Sequence, residues 1–223
     1  MSFPETVPPR VRAERVEVRR SRERILAAAE HHYSRYEHDP TMSELAKLAG
    51  IGSATLYRRF ASIDDVIREL HGRQVAHLQS IGDDVRSQPT GWDAIVALVL
   101  GIIDTLQEHP SLQRLNRKMV GLDSEHRFTS QWDDELDQIV AYAQAEGSLR
   151  LDVNSNDITF AAFRVGAYSN LPANERDRVL GRQVGIVLDG LRADGRRTEL
   201  PGGPISPEDL HQIFRYEVEN PIV

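Results

Sequence analysis

The stretch TMSELAKLAGIGSATLYRRF, Thr41 to Phe60, decides the fold. Thr41 followed three positions later by Glu44 is the capping-box pattern that opens a helix. Met42, Leu45, Ala46 and Ala49 then recur at helical spacing and give that helix a buried stripe. Gly50 ends it, because a left-handed terminal residue is least costly as glycine, and Ile51 is placed to plug the turn. A further short helix fits Ser53 to Phe60, with Leu56 and Phe60 facing inward and Ser53, Ala54, Thr55, Arg58 and Arg59 facing outward. Two short helices joined through a glycine turn make the helix-turn-helix pattern, whose second helix enters the DNA major groove. Small side chains at its start permit close approach to base edges. From these residues alone, an ordinary helical hairpin inside an all-α protein remains the alternative.

On the N-terminal side, Ile25, Ala29, Tyr33 and Tyr36 set a helix over 21–36, stopped by Pro40. On the C-terminal side, Ser62 caps a helix over 63–86, with Asp64 and Asp65 at the positive end of its dipole. At 1.5 Å per residue it spans ~35 Å. Pro89-Thr90-Gly91 breaks the chain before a mostly apolar helix over 92–108, which His109-Pro110 ends. Helices over 111–120, 124–146, 156–169 and 174–193 follow, the last capped by Asn174, with a connector at 149–155. Gly181 and Gly185, four apart, allow close helix approach. Ser206-Pro207-Glu208-Asp209 starts a short helix with Leu210, Ile213 and Phe214 inward. No strand alternation is convincing. The expected class is all-α: an N-terminal three-helix helix-turn-helix domain and a larger C-terminal helical domain. The expected divisions are a basic, flexible arm at 1–20, the helix-turn-helix domain at 21–67, the larger helical domain at 68–193, to which the resemblance described below assigns effector binding and dimerisation, and a C-terminal extension at 194–223.

Charge is unevenly divided. The 223 residues carry 27 Lys and Arg against 34 Asp and Glu, a net −7. Residues 1–60 are net +3 and residues 61–223 net −10. The early excess lies in Arg10, Arg12, Arg15, Arg19, Arg20, Arg22 and Arg24, a cationic run suited to a polyanion partner or simply to solvent. The absence of cysteine rules out a disulfide scaffold, a thiolate zinc site and a cysteine nucleophile. The longest mainly apolar run, Ala94 to Ile103, falls short of the ~20 residues a spanning helix needs. The start MSFPETVPPR lacks the order of a signal peptide. The expected location is the cytoplasm, with no membrane partner. His31-His32 point about 100° apart on a helix, which is poor metal geometry. No HExxH, GxSxG, Walker or GxGxxG pattern appears, so neither an enzyme, a metal site nor a cofactor is expected.

The segments SRERILAAAEHHYSRY, TMSELAKLAGIGSATLYRRF and ASIDDVI resemble the N-terminal domain of TetR-family transcriptional regulators, particularly at Gly50, Thr55, Leu56, Tyr57 and Phe60. GSLRLDVNSNDI and LDGLRAD resemble the entries and exits of that family's later helices, and the LPGGPISPEDL tail is similar to a subgroup with an SbtR-like C-terminal domain. The resemblance implies an Ω-shaped homodimer that binds double-stranded DNA as a repressor, on a palindromic operator, and answers to a small-molecule effector of unknown identity. It implies phosphate contacts at Thr41, Tyr57 and Thr55, the last also able to touch a thymine methyl. It implies base-facing roles for Ser53, Ala54 and Arg58. A guanidinium suits guanine O6 and N7, though a purely phosphate contact fits Arg58 as well. Gly52 stands where a capping serine is common, and Ile63 where Lys or Arg is usual. Arg59, Arg19 and Arg20 complete the expected DNA-binding set, the basic arm compensating through flanking phosphates or a minor groove.

The resemblance places an effector pocket among the later helices. Trp92, Ile102, Leu106, Phe128, Trp132, Phe163 and Arg164 are the candidates, although most such residues are plain core. Val179, Leu180, Val184, Val187, Leu188 and Leu191 form the stripe expected at the dimer interface, or else one packed within the chain. A ligand-insensitive architectural or interaction protein, and less readily an all-α enzyme, are the competing functions.

Overall fold

The computed structural model describes residues 9–36, 38–123, 133–194, 198, 200–209, 212, 213 and 215, with side chains from Val16 onward other than those at 170 and 174. The described elements are α1 (Pro9–Tyr33), α2 (Met42–Leu48), α3 (Ser53–Tyr57), α4 (Ile63–Arg86), α5 (Gly91–Glu108), α6 (Leu112–Leu122), α7 (Asp133–Ala145), α8 (Ser155–Gly166), a 3-10 turn (Ala167–Asn170) and α9 (Ala173–Leu191). Among the described residues the only β pairing is an isolated antiparallel bridge between Leu149 and Arg192. Two compact units emerge, residues 1–70 and 71–223, with α4 divided between them.

In the first unit, local chemistry sets the helix ends. Thr41 caps α2: its hydroxyl accepts from the Glu44 amide, and the Glu44 carboxylate accepts from the Thr41 amide at 2.8 Å. The Thr41 amide and then the Thr41 hydroxyl, both donating to this carboxylate, hold it below the usual carboxylate range. At the other end Gly50 has φ +63°. Its amide donates to the Lys47 carbonyl and that of Ile51 to the Ala46 carbonyl, the paired bonds of a Schellman turn. Ile25, Leu26, Ala29, Tyr33, Leu45, Leu56, Phe60, Val66 and Ile67 form the core.

Two expectations for α1 need correction. It begins at Pro9, so the stretch read as a flexible arm is helical from that residue on. Its run of Arg, Glu and Ala consists largely of good helix formers. It also ends at Tyr33, leaving Tyr36 49% exposed instead of inward. The chain folds back there because the buried Tyr33 hydroxyl donates to Asp39 Oδ1 at 2.8 Å and His32 Nε2 meets the His38 carbonyl at 2.8 Å. Burial, then the Asp39 bond, push the Tyr33 phenol far above its ordinary pKa.

In the second unit, α5 is the central helix, packed chiefly against α8 and α7. Ile95, Val99, Ile102, Ile103 and Leu106 are all but inaccessible. Two buried polar pairs fasten α4 to the α6 region: His71 Nε2 with Asn116 Oδ1 at 2.7 Å, and Gln74 Nε2 donating to Ser111 Oγ at 2.8 Å. The Asn174 cap is corrected: Pro172 precedes the first turn of α9 and Ala173 begins it. The end of α9 is held by Arg150, which donates to both carboxylate oxygens of Asp152 and to the Gly190 and Thr198 carbonyls. The Arg150 bonds pull the Asp152 pKa down to about 2. The extension docks on α8, where Asn154 and Asn156 donate to the Ile205 carbonyl and the Ile205 amide donates to Asp157. The expected inward Leu210 and Phe214, and the segment 124–132, lie outside the described residues. Among the described residues no single helix is long and apolar enough to cross a membrane.

At Gly91 another helix's backbone comes close: a Cβ there would lie 2.5 Å from the Ala143 Cα. A Cβ at Gly72, exposed on α4, would meet nothing within 4 Å. Gly91→Ala is therefore expected to cost ~1–3 kcal/mol by overpacking, and Gly72→Ala to add up to ~1 kcal/mol through helix propensity; urea melts of the two variants check the opposite signs. For Asp152, whose folded-state pKa is depressed, the stabilisation is fully present above ~4, the ordinary carboxylate range, and is lost as pH falls through about 2. Asp152→Asn should flatten the acid limb of the urea midpoint between ~pH 4 and 2.

Candidate nucleic-acid interface and ligand cavity

The short helix α3 is anchored by Leu56, which is 0% exposed, with Phe60 just beyond it. Gly52 is its N-cap without a side-chain bond, as expected from glycine standing in the capping position. With Leu56 turned inward, Gly52, Ser53, Ala54, Tyr57 and Arg58 are exposed and Thr55 half-buried. Tyr57 is the largest of these at 58% exposure. Arg58 sits at the C-cap and its guanidinium donates to Thr55 Oγ1 at 2.9 Å. Two residues expected to touch DNA thus hold each other, through a solvent-exposed bond that a base or phosphate can replace at little cost.

Other expected contacts are differently placed. Arg59 is half-buried and donates from Nε to Ser21 Oγ at 3.0 Å, so it braces α1 instead of facing outward with Arg58. Arg22 is likewise structural: it pairs with Glu69, donates to the Arg59 carbonyl and lies over the Phe60 ring at 4.6 Å. Glu69 and burial act oppositely on its guanidinium pKa, and the Glu69 bond prevails, raising it. Thr41 is exposed, yet both its hydroxyl and its amide donate to the Glu44 carboxylate. A phosphate at this helix start therefore competes with a built-in carboxylate. Arg19 and Arg20 are exposed on the helical surface of α1.

In the second unit, a small, largely apolar cavity of about 50 Å³, open to solvent on one side, lies between α4 (Leu78, Val85), α5 (Leu98, Ile102), α7 (Leu136, Ile139) and α8 (Thr159, Phe163). Of the candidate ligand residues, Ile102 and Phe163 line it. Three others do not. Trp92 is stacked under the Arg192 guanidinium at 4.2 Å. Leu106 is core packed on Gly166. Arg164 is exposed, its guanidinium over Phe160 at 4.8 Å. Phe128 and Trp132 lie outside the described residues. The reading by residue type missed Thr159, which is 4% exposed and whose Oγ1 has no hydrogen-bond partner among the described residues. Its helical phase beside Phe163, four residues on, was the available signal.

The stripe expected at a dimer interface faces the chain's own core. Leu180 and Leu191 are 6% and 7% exposed, and Val184, Val187 and Leu188 pack against the same cluster, with Val179 half-buried. The other side of α9 presents Gly181, Gly185 and the 56% exposed Ile186.

Comparison with known proteins agrees with this geometry. Residues 25–70 match the bacterial regulatory proteins of the tetR family. Among solved structures, the ketosteroid transcriptional regulator KstR2 of Mycobacterium tuberculosis is 20% identical, over 77% of this chain and 94% of that one, with a TM-score of 0.63. The TetR transcriptional regulator SCO0520 from Streptomyces coelicolor is 27% identical, over 77% and 98%, at 0.52. The fatty acid degradation regulator FadR from Bacillus halodurans is 14% identical, over 82% and 97%, at 0.60. No curated protein matches the chain. The match ends at residue 70, so the likeness of the tail to the SbtR-like subgroup stays with the tail's own residues. An exposed short helix held by a buried leucine and the match over residues 25–70 thus give this chain the DNA-binding domain of the bacterial regulatory proteins of the tetR family, and the chain shares its all-helical fold with solved transcriptional regulators that carry that domain.

Proposed function

We propose that this protein is a ligand-responsive repressor that binds a palindromic operator as a homodimer in the cytoplasm. The observation that carries the reading is the division of α3, with Leu56 wholly buried and Ser53, Ala54, Tyr57 and Arg58 presented outward. Small residues lead the helix, a phenol and a guanidinium follow, and this order suits entry into a major groove with base contact from Arg58. Arg19 and Arg20 supply charge for flanking phosphates.

Two copies set one turn of DNA apart, ~34–36 Å, read a palindrome. The outer face of α9 supports such pairing through Gly181, Gly185 and Ile186, with the exposed Tyr168 beyond α8. This replaces the inward stripe as the proposed contact. The effector occupies the α4–α5–α7–α8 cavity. KstR2 is named for ketosteroids and FadR for fatty acid degradation, and an apolar cavity suits lipophilic molecules of that general kind. No Lys or Arg is among its described lining residues, while Glu135 is. A neutral lipophile carrying one hydroxyl or carbonyl, bonded to Thr159, fits better than an anion. Because α4 both lines this cavity and begins beside α3, a ligand that prefers one setting of α4 changes DNA affinity by linkage.

Selection of bound DNA from a random pool, followed by gel shifts, tests the proposal. Arg58→Ala is expected to weaken the selected site about 10- to 100-fold and to relax preference at one position per half-site. Equal loss on all sequences, with a salt slope shallower by about 1, assigns Arg58 to a phosphate. Binding without any sequence preference rules the repressor out in favour of an architectural protein. Thr159→Val should raise stability by ~1–3 kcal/mol, through removal of a buried unsatisfied hydroxyl, while blunting release from DNA by hydroxylated or carbonyl-bearing lipophiles. Unchanged release places the polar contact elsewhere.

A further inference from the structure

We propose that His77, Glu108 and His109 form a site for a first-row divalent transition ion of the zinc type. Their ligand atoms all lie within 4.8 Å of one another. His77 Nε2 is 3.1 Å from Glu108 Oε2, and the two imidazole rings stand 5.2 Å apart at 76°. A tetrahedral ion bonded at ~2.0–2.2 Å holds its ligand atoms about 3.4 Å apart. Side-chain rotation closes the remaining difference, because His77 and Glu108 are exposed and His109 is only half-buried.

The fold explains the juxtaposition. Glu108 is the last residue of α5, and His109 precedes Pro110, which disfavours helical backbone in the residue before it. His109 accordingly leaves the helix at φ −125°, ψ 70°. The α4 helix brings His77 from more than thirty positions earlier in the chain, which is why no sequence spacing announces the set. The expectation of no metal site therefore rested on local spacing alone.

The surroundings favour a cation. The trio sits at the C-terminal, negative end of the α5 dipole. His77 also edges a surface groove lined by Asp84, Asp93 and Asp104, with no Lys or Arg among its described lining residues. Two imidazoles and a carboxylate select zinc-like ions over magnesium or calcium, which take oxygen ligands. Three protein ligands leave a fourth position for water. The bound ion ties α4 to the end of α5, and the proposal stands whether or not the chain represses transcription.

The test uses the full-length chain freed of metal by chelation, with Co²⁺ and Zn²⁺ alone as probes. The expected result is one ion per chain, visible cobalt bands of tetrahedral intensity, and zinc-dependent shifts of the His77 and His109 ring-proton resonances. His77→Ala and His109→Ala each lower affinity about tenfold or more, the near-isosteric Glu108→Gln does so without a change of shape, and His31→Ala leaves affinity unchanged. Thermal melts in chelator verify that the variants fold. Zinc raises the melting temperature of the unaltered chain and not that of His77→Ala. Absence of cobalt bands overturns the proposal, and so does one-ion binding that survives both His77→Ala and Glu108→Gln, since that places the ion elsewhere.

Discussion

The burial of a single leucine underlies the DNA-reading surface. A helix as short as α3 does not hold itself together, since nucleation fixes several residues for one hydrogen bond. Leu56 supplies the missing stabilisation by sitting wholly inside the core formed with Ile25, Leu45 and Phe60. That one orientation also determines what faces outward, because residues flanking Leu56 on a 3.6-residue repeat point away from the core. The Schellman turn at Gly50 and Ile51 fixes the angle at which α3 leaves α2. Arg59 then ties the end of α3 to α1 through Ser21, and Arg22 of α1 donates to the Arg59 carbonyl and pairs with Glu69 of α4. Arginines in this unit are therefore of two kinds: some brace the scaffold, and others, such as Arg58, remain at the surface.

The second unit is organised by α5, whose apolar middle demands cover on most sides. The covering helices approach closely where small residues permit, as at Gly91 against Ala143. Two buried polar pairs in this interior, His71 with Asn116 and Gln74 with Ser111, bear on α4. Helix α4 is thereby held by directional contacts as well as by apolar burial. Moving it would break both pairs and leave buried polar groups unpaired, which is costly. Thr159 is a buried hydroxyl that lines an apolar cavity and has no hydrogen-bond partner among the described residues.

Much of the first unit was legible in sequence order. The capping box at Thr41 and Glu44, the left-handed Gly50, the inward Leu56 and the extent of α4 follow from interactions spanning a few residues. The start of α1 was not, because a basic run reads equally as helix or as solvated arm. The stripe of α9 was legible as apolar but not by partner: periodicity says which side is greasy and is silent on whether a second copy or the chain's own α8 covers it.

The sequence by itself determined the helices, the turn between α2 and α3, and hence the family of DNA-reading surfaces to which this one belongs, since capping, glycine geometry and 3.6-residue periodicity are local. Only the tertiary structure decided which arginines are bound within the scaffold, which apolar residues border a cavity, and that His77 meets Glu108 and His109. Those outcomes depend on contacts between residues distant in the chain, whose distances are set by how α4, α5, α7 and α8 pack and not by any spacing along the sequence.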